Sequence, residues 1–495
     1  MLWQNIPILL ILLPLGLSSL TAALKGDHSR RLLFAVCLAC LGMSAFLLYE
    51  IVQSAQPFTV KLGEVGSPFG NELYVSQTEA TVLVAFDAIL LLSLMGGRHN
   101  IRNDVTAGRM NLFYAVCSLL LAALNALTLT NDIFSGYVFL EITTIAAGAL
   151  IFVRGHEGTL LAAMRYMIMN LLGSGLFLLG VSILYSLSGE LLFPALIEKL
   201  RLVHIEDKYT GALFMGLTLI TLGLGMKSAL FPFHTWLPNA YSLSTPAASS
   251  ILSSLVSKAY IFLYIKILCR AVGLEIFKRS GAADVLMAYA VMAIVMGSID
   301  AIQQHNVRRM VSYSSVAQIG YIFLAVSLGT REALSAAVFQ IFAHSAAKAM
   351  LFPAVDRLVH VSGENENFRD LRGSGYRAPL AGLAFTVGAF SIVGIPLLGG
   401  FSAKLYIASA AYTAGGARPY IVLAAFAVST VLNIIYFLRT VVTIYRKSDR
   451  QPNQGHIARI FNFDAAIACF LLINLYLGVG AANVMKLISN GINLW

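Results

Sequence analysis

Apolar runs of about 20 residues recur along the whole 495-residue chain, each long enough to cross about 30 Å of hydrocarbon. The runs are continuous and lack period-two alternation, which excludes a membrane β-barrel. Their boundaries predict α1 over 5–24, α2 over 32–53, α3 over 80–97, α4 over 111–130, α5 over 133–153, α6 over 161–187 and α7 over 210–239. They continue with α8 over 244–270, α9 over 283–302, α10 over 308–329, α11 over 333–357, α12 over 379–412, α13 over 420–444 and α14 over 463–489. Fourteen crossings put both termini on one face. The opening stretch lacks a basic leader region and flows into Lys25 and Arg30, so it is expected to be the first membrane helix, not a cleaved signal.

Two of these segments are too long to be straight. At 1.5 Å per residue, 210–239 would extend about 45 Å. It contains Pro232, and 379–412 contains Gly394, Pro396, Gly399 and Gly400. Proline removes an amide donor and clashes with the carbonyl one turn back, so both helices are expected to break. Broken helices in corresponding positions of two halves are where transporters place their sites.

Composition agrees: 58% of residues are hydrophobic and 12% charged, about half the charge of a soluble domain, with a mean hydropathy of +0.78. The net charge of +10 suggests nucleic acid until its distribution is followed. Loops 1–2, 3–4, 5–6, 9–10, 11–12 and 13–14 gather more than half of the 34 lysines and arginines, Arg450 and Arg459 among them. This is the asymmetry of a positive-inside membrane protein, with both termini outside and no nucleic-acid partner. Lys266 and Arg270 fall on the sparser face and are expected to snorkel from the end of α8. Cys37 and Cys40 lie in an apolar helix with no second pair, the pattern of small core residues and not of a metal site. No metal or cofactor is expected, and "LGLGMKS" lacks the G-K-[ST] triplet of a phosphate loop.

The candidate chemistry is four lysines inside the spans, Lys227, Lys258, Lys348 and Lys404. Each opposes insertion by about 2.5–3.5 kcal/mol at a helix centre. A single one could simply satisfy a carbonyl; four of them, with Glu141, His234 and His344, point to an ion path. Glu141 lies two turns into α5 and needs a cation, for which Lys227 beside the α7 break is the natural partner. His344 and Lys348 are four apart and share a face of α11. A hydrogen-bonded core role for His344 fits the sequence as well. Asp87 and Asp300 read as polar packing or interface residues.

"KSALFPFHTWLPNAYSLSTPAASSILSSLVSKAYIFLYIK" resembles the signature of the proton-translocating antiporter-like membrane family. That family holds the antiporter-type subunits of respiratory complex I, the A and D components of Mrp-type cation/proton antiporters, and matching subunits of membrane-bound hydrogenases. "HNVRRMVSYSSVAQIGYIFLA", "FQIFAHSAAKAMLF" and "GIPLLGGFSAKLYI" resemble its next blocks in order. The resemblance implies an all-α polytopic membrane fold with two inverted five-helix repeats and two broken helices. Its parts would be 1–110 (α1–α3), 111–270 (α4–α8), 283–445 (α9–α13) and 446–495 (α14).

The resemblance also implies roles. Glu141 and Lys227 match the family's carboxylate–lysine pair, Lys258 the α8 connecting residue, His344 the α11 histidine and Lys404 the terminal α12 residue. His234 and Lys348 extend the relay. Lysine at 404 looks most like the D component of Mrp antiporters and the lysine-bearing complex I subunits, and the chain stops too soon after α14 for the long lateral helix of the largest complex I member. Asn239, Asn306 and Gln318 depart from the pattern, the last standing where several members carry a histidine, so water is the expected bridge there. The function implied is proton translocation, with Na⁺ as a candidate counter-ion, by one subunit of a multisubunit complex in a prokaryotic plasma membrane. A stand-alone cation or solute transporter, and a scaffold whose charges only join helices, are the alternatives.

Overall fold

The structure is a computed structural model and describes residues 2–63, 71–155, 157–207, 209–447 and 461–495. Arg450 and Arg459 lie outside the described residues. Among those described, thirteen helices are long and apolar enough to cross a membrane. They are α1 (Ile6–Ala23), α2 (Asp27–Ser54), α3 (Gln77–Gly96), α4 (Met110–Leu129), α5 (Ile133–Phe152), α6 (Glu157–Ser188) and the first half of α7 (Thr210–Lys227). The rest are α8 (Pro246–Val272), α9 (Ala282–Gln303), α10 (Val307–Ser327), α11 (Arg331–His360), α13 (Arg418–Tyr445) and the main part of α14 (Phe461–Val479). The remaining crossing, α12, comes as two short pieces, Pro379–Val393 and Gly399–Ala414.

The breaks fall where proline and glycine put them. After Lys227 the chain of α7 leaves helical geometry, passes Pro232, and resumes as a short 3₁₀ turn and Leu237–Leu243. In α12, Gly394 adopts φ +92° at the end of the first piece, a conformation a side chain resists. A Cβ on Gly400 would overlap the carbonyl oxygen of Ser391, so the two pieces can close on each other only around glycine. α14 bends likewise at Gly480 and continues as Ala481–Asn493.

α8, α10 and α11 are enclosed by protein, while α1, α2 and α14 turn most of their surface outward. Small residues set the closest seams. Across α6 and α7 an added Cβ at Gly223 would lie 2.5 Å from the Gly173 carbonyl oxygen, and one at Gly180 would lie 2.7 Å from that of Gly216. This contact presses the end of α7, with Lys227, against α6.

Some elements were not in the hydropathy pattern. Phe58–Leu62 and Asn71–Val75 pair as an antiparallel hairpin (β1 and β2), and Phe193–Glu206 is an amphipathic helix between α6 and α7. The hairpin gathers both termini: Trp3 meets Phe58 edge-on at 5.0 Å, and the Tyr74 hydroxyl donates to the Leu494 carbonyl at 3.5 Å. Both ends of the chain therefore share one face, as an even number of crossings requires.

The expected snorkelling of Lys266 and Arg270 is wrong. Lys266 is fully buried, its ammonium 3.5 Å from the equally buried carboxylate of Glu79. It also donates to the carbonyls of Thr128 and Thr130, where α4 ends, at 2.7 and 2.8 Å. The guanidinium of Arg270 lies 3.5 Å from the ring centroid of Tyr74, and the Trp495 indole donates to Glu79 at 3.4 Å. Folded-state acceptors from three elements outcompete the headgroup region. Since removing one member of a buried pair costs about 3–5 kcal/mol, Glu79→Ala should lower the thermal unfolding midpoint of the detergent-solubilised protein. Replacing both residues with apolar ones should not restore the loss, because the carbonyls of Thr128 and Thr130 and the Ser76 amide would also lose their partners.

Candidate functional site at the broken helices

The first centre sits where α7 ends its first half. Glu141 and Thr144, three residues apart on α5, present one face to Lys227. The Lys227 ammonium is 3.2 Å from the Glu141 carboxylate and donates to the Thr144 hydroxyl at 2.8 Å. Lys227 is fully buried, whereas the Glu141 side chain retains 24% of its exposure. Ser174 of α6 donates to the same carboxylate. Tyr260 of α8 completes the cage, its hydroxyl 3.1 Å from that of Thr144 and its ring centroid 5.5 Å from the ammonium.

His234 stands beyond the break, on the 3₁₀ turn. Its imidazole is 3.4 Å from the carboxylate of Asp300 in the last turn of α9 and stacks on Phe231 at 5.2 Å. Asp300 is thus not a packing residue but the partner of a sequence-predicted one. Its separation along the chain hid this. The pair joins the second half of α7 to α9.

The second centre lies between α8 and α11. Lys258 follows a wide π-turn, Leu252–Val256, and donates to the Ser253 carbonyl within it and to the Ser257 hydroxyl at 3.1 Å. Such turns loosen the regular ladder and recur at functional sites. Lys348 of α11 donates to the Val311 carbonyl at 2.6 Å and to the Ser314 hydroxyl at 2.5 Å, both on α10. His344 is buried between them. It lies one turn from Lys348 on α11, and neither ring nitrogen has a hydrogen-bond partner among the described residues. A core histidine satisfied by a protein hydrogen bond is therefore not what the structure contains. Serines line the seam: Ser345 donates to the Ser254 carbonyl at 2.5 Å and Ser250 to that of Ala349 at 3.0 Å. The run "SSILSSLVSK" repeats serine at helical spacing and was a legible sign of this polar face.

The third centre is the α12 break. The Lys404 ammonium donates to the Val393 carbonyl, which ends the first piece, at 2.7 Å, and to the Thr430 hydroxyl of α13 at 3.1 Å. It lies 5.2 Å from the ring centroid of Tyr321. Tyr321 donates to Ser429 at 2.6 Å, next to Asn433 and Tyr436. Between the second and third centres, Gln340 donates to Gln318 at 2.8 Å, so an amide pair and not a titratable ring occupies the stretch. Among the described residues, none of Lys258, Lys348 and Lys404 has a carboxylate within 4.0 Å.

The sequence profile of the NADH:quinone oxidoreductase/Mrp antiporter transmembrane family matches residues 130–433, the segment that carries all three centres. A Desulforudis audaxviator protein, NADH-quinone oxidoreductase subunit N, is 32% identical over 456 residues, covering 90% of this chain and 88% of its own. The D component of the Na(+)/H(+) antiporter of Bacillus subtilis is 26% identical over 480 residues, covering 96% and 94%. Among solved structures, a chain of the membrane-bound sulfane sulfur reductase, an archaeal respiratory membrane complex, superposes with TM-score 0.86 at 28% identity, covering 99% of this chain and 97% of that one. A chain of the Mrp complex from Dietzia sp. shares the fold, with TM-score 0.87, 21% identity and the same coverage. By its profile and its relatives, the chain belongs to the NADH:quinone oxidoreductase/Mrp antiporter transmembrane family.

Proposed function

We propose that this protein is the ion-translocating subunit of a multisubunit membrane complex of the kind its relatives are named for, passing protons along Lys227, Lys258, His344, Lys348 and Lys404. Na⁺ is the candidate counter-ion, after the name of the Bacillus subtilis relative. The observation that carries the reading is the Glu141–Lys227 pair at a helix break, 3.2 Å apart with the ammonium fully buried. His234 and Asp300 serve proton uptake toward Lys227 on the side where α9 ends. The breaks in α7 and α12, one beside the buried Lys227 and the other beside the half-buried Lys404, support two related halves, 111–270 and 283–445. The arginine-rich loops support both termini lying outside a prokaryotic plasma membrane.

Magnitudes favour a switch at the pair. Moving one charge through 100 mV costs about 2.3 kcal/mol. At 1.36 kcal/mol per tenfold, that asks for roughly a fifty-fold swing in how tightly a site holds its proton. Two unit charges 3.2 Å apart interact by about 5 kcal/mol at an effective dielectric constant of 20. Halved for the partial exposure of Glu141, the term still covers the requirement. A shift of α7 that parts Lys227 from Glu141 thus suffices to release a proton toward Lys258. The driving reaction belongs to other subunits, because the line carries protons and supplies no energy of its own.

In the assembled complex, Lys227→Ala and Glu141→Ala should each reduce ΔpH formation in everted vesicles by at least about tenfold, read by quenching of a permeant amine dye. Wild-type rates in both variants would dismiss the relay. Lys258→Arg and Lys404→Arg should assemble normally yet fail to transport, because a guanidinium keeps its charge but does not release its proton at physiological pH. The check is co-purification of partner subunits alongside the same dye assay. Full transport by the chain reconstituted alone would instead identify a stand-alone transporter.

A further inference from the structure

A cavity of about 1040 Å³ opens on the face where α9 and α13 end, away from the buried lysines. Its walls are the end of α9 with His305, the loop from Asn367 to Arg372, and Arg439 and Thr443 of α13. Three guanidiniums, those of Arg369, Arg372 and Arg439, and the imidazole of His305 line it against one carboxylate, Asp370. Arg439 is held in place: it donates to the Gln304 carbonyl at 3.1 Å and lies 4.4 Å from the ring centroid of Phe368. A held arginine loses little freedom on gripping an anion, and its planar fork matches a phosphate.

Further toward the membrane centre, the same two helices expose apolar side chains, Met292 and Met296 on α9 and Val431, Ile435 and Leu438 on α13, each 38% to 59% exposed. A free phosphate ion would use the arginines and ignore these side chains. A molecule with a phosphate at the interface and hydrocarbon beneath it uses both, and basic pockets between membrane helices accept such headgroups. We propose that the cavity is a binding site for an anionic glycerophospholipid, its phosphate among Arg369, Arg372 and Arg439 and its acyl chains along α9 and α13.

Native mass spectrometry of the detergent-solubilised complex, titrated with phosphatidylglycerol or phosphatidylcholine, tests the site. Phosphatidylglycerol adducts should persist where phosphatidylcholine leaves none, and excess inorganic phosphate should not displace them. Arg369→Gln with Arg372→Gln, two exposed loop positions, should weaken the adduct by at least about tenfold, and Arg439→Gln further. Arg309→Gln, exposed on the same face outside the cavity, should leave it unchanged. Adducts equal to wild type in the double variant, equal binding of phosphatidylcholine, displacement by phosphate, or cross-linking of a partner subunit's acidic segment across the cavity would each overturn the proposal. Co-purification of the complex with each variant separates loss of binding from loss of fold.

Discussion

A charge inside hydrocarbon has to bring its own solvation, and this constraint organises the bundle. At about 2.5–3.5 kcal/mol per lysine, the protein recovers the cost with charge-assisted hydrogen bonds worth about 1.5–3 kcal/mol each. The acceptors come from places where a helix has been interrupted. Lys404 takes the carbonyl at the α12 break, Lys258 one in a π-turn, and Lys266 the carbonyls that end α4. Helix breaks in lipid are unfavourable unless their freed carbonyls find donors, and buried ammonium groups are unfavourable without acceptors. Each defect satisfies the other.

The partners also divide the lysines into two kinds. Among the described residues, Lys258, Lys348 and Lys404 bond only to neutral carbonyls and hydroxyls. A neutral amine still has N–H donors for those acceptors, so loss of the proton leaves no orphaned charge. Lys266 is different, because Glu79 beside it is fully buried, and deprotonating the lysine would strand a carboxylate without its counter-ion. Lys227 stands between the two kinds, with a carboxylate partner that keeps some access to its surroundings. The same residue type is therefore tied to a counter-ion at one site and to neutral acceptors at others, and only the second setting suits the carrier role proposed above.

Much of this was legible along the chain. The spans, both breaks, Glu141 opposite Lys227 and the lysines within the spans follow from hydropathy, proline and glycine placement, and the rarity of charge in lipid. What escaped was pairing across distance. Lys266 near a helix end reads as a snorkelling cation, because position in a span says nothing of a carboxylate waiting on α3. Asp300 reads as a packing or interface residue for the same reason, though it meets His234. Phe193–Glu206 was passed over since a short amphipathic helix lacks the long apolar run that marks a crossing, and the hairpin since its strands are five residues each.

The seam between α6 and α7 shows how packing and chemistry are tied. Gly173 and Gly223 let two backbones approach to where a side chain would collide with a carbonyl. Ser174, the next residue on α6, and Lys227, one turn beyond Gly223, meet the same carboxylate of α5. Glu141 belongs to α5, so a slide of α7 along its seam with α6 carries Lys227 relative to that carboxylate. Packed seams of small residues have few ways to deform, so such a slide would occur between discrete positions. The pair is then read by the position of a helix, and a helix can be moved by a neighbouring subunit. Under the function proposed above, such a slide is the route by which a reaction in a neighbouring subunit would reach the pair.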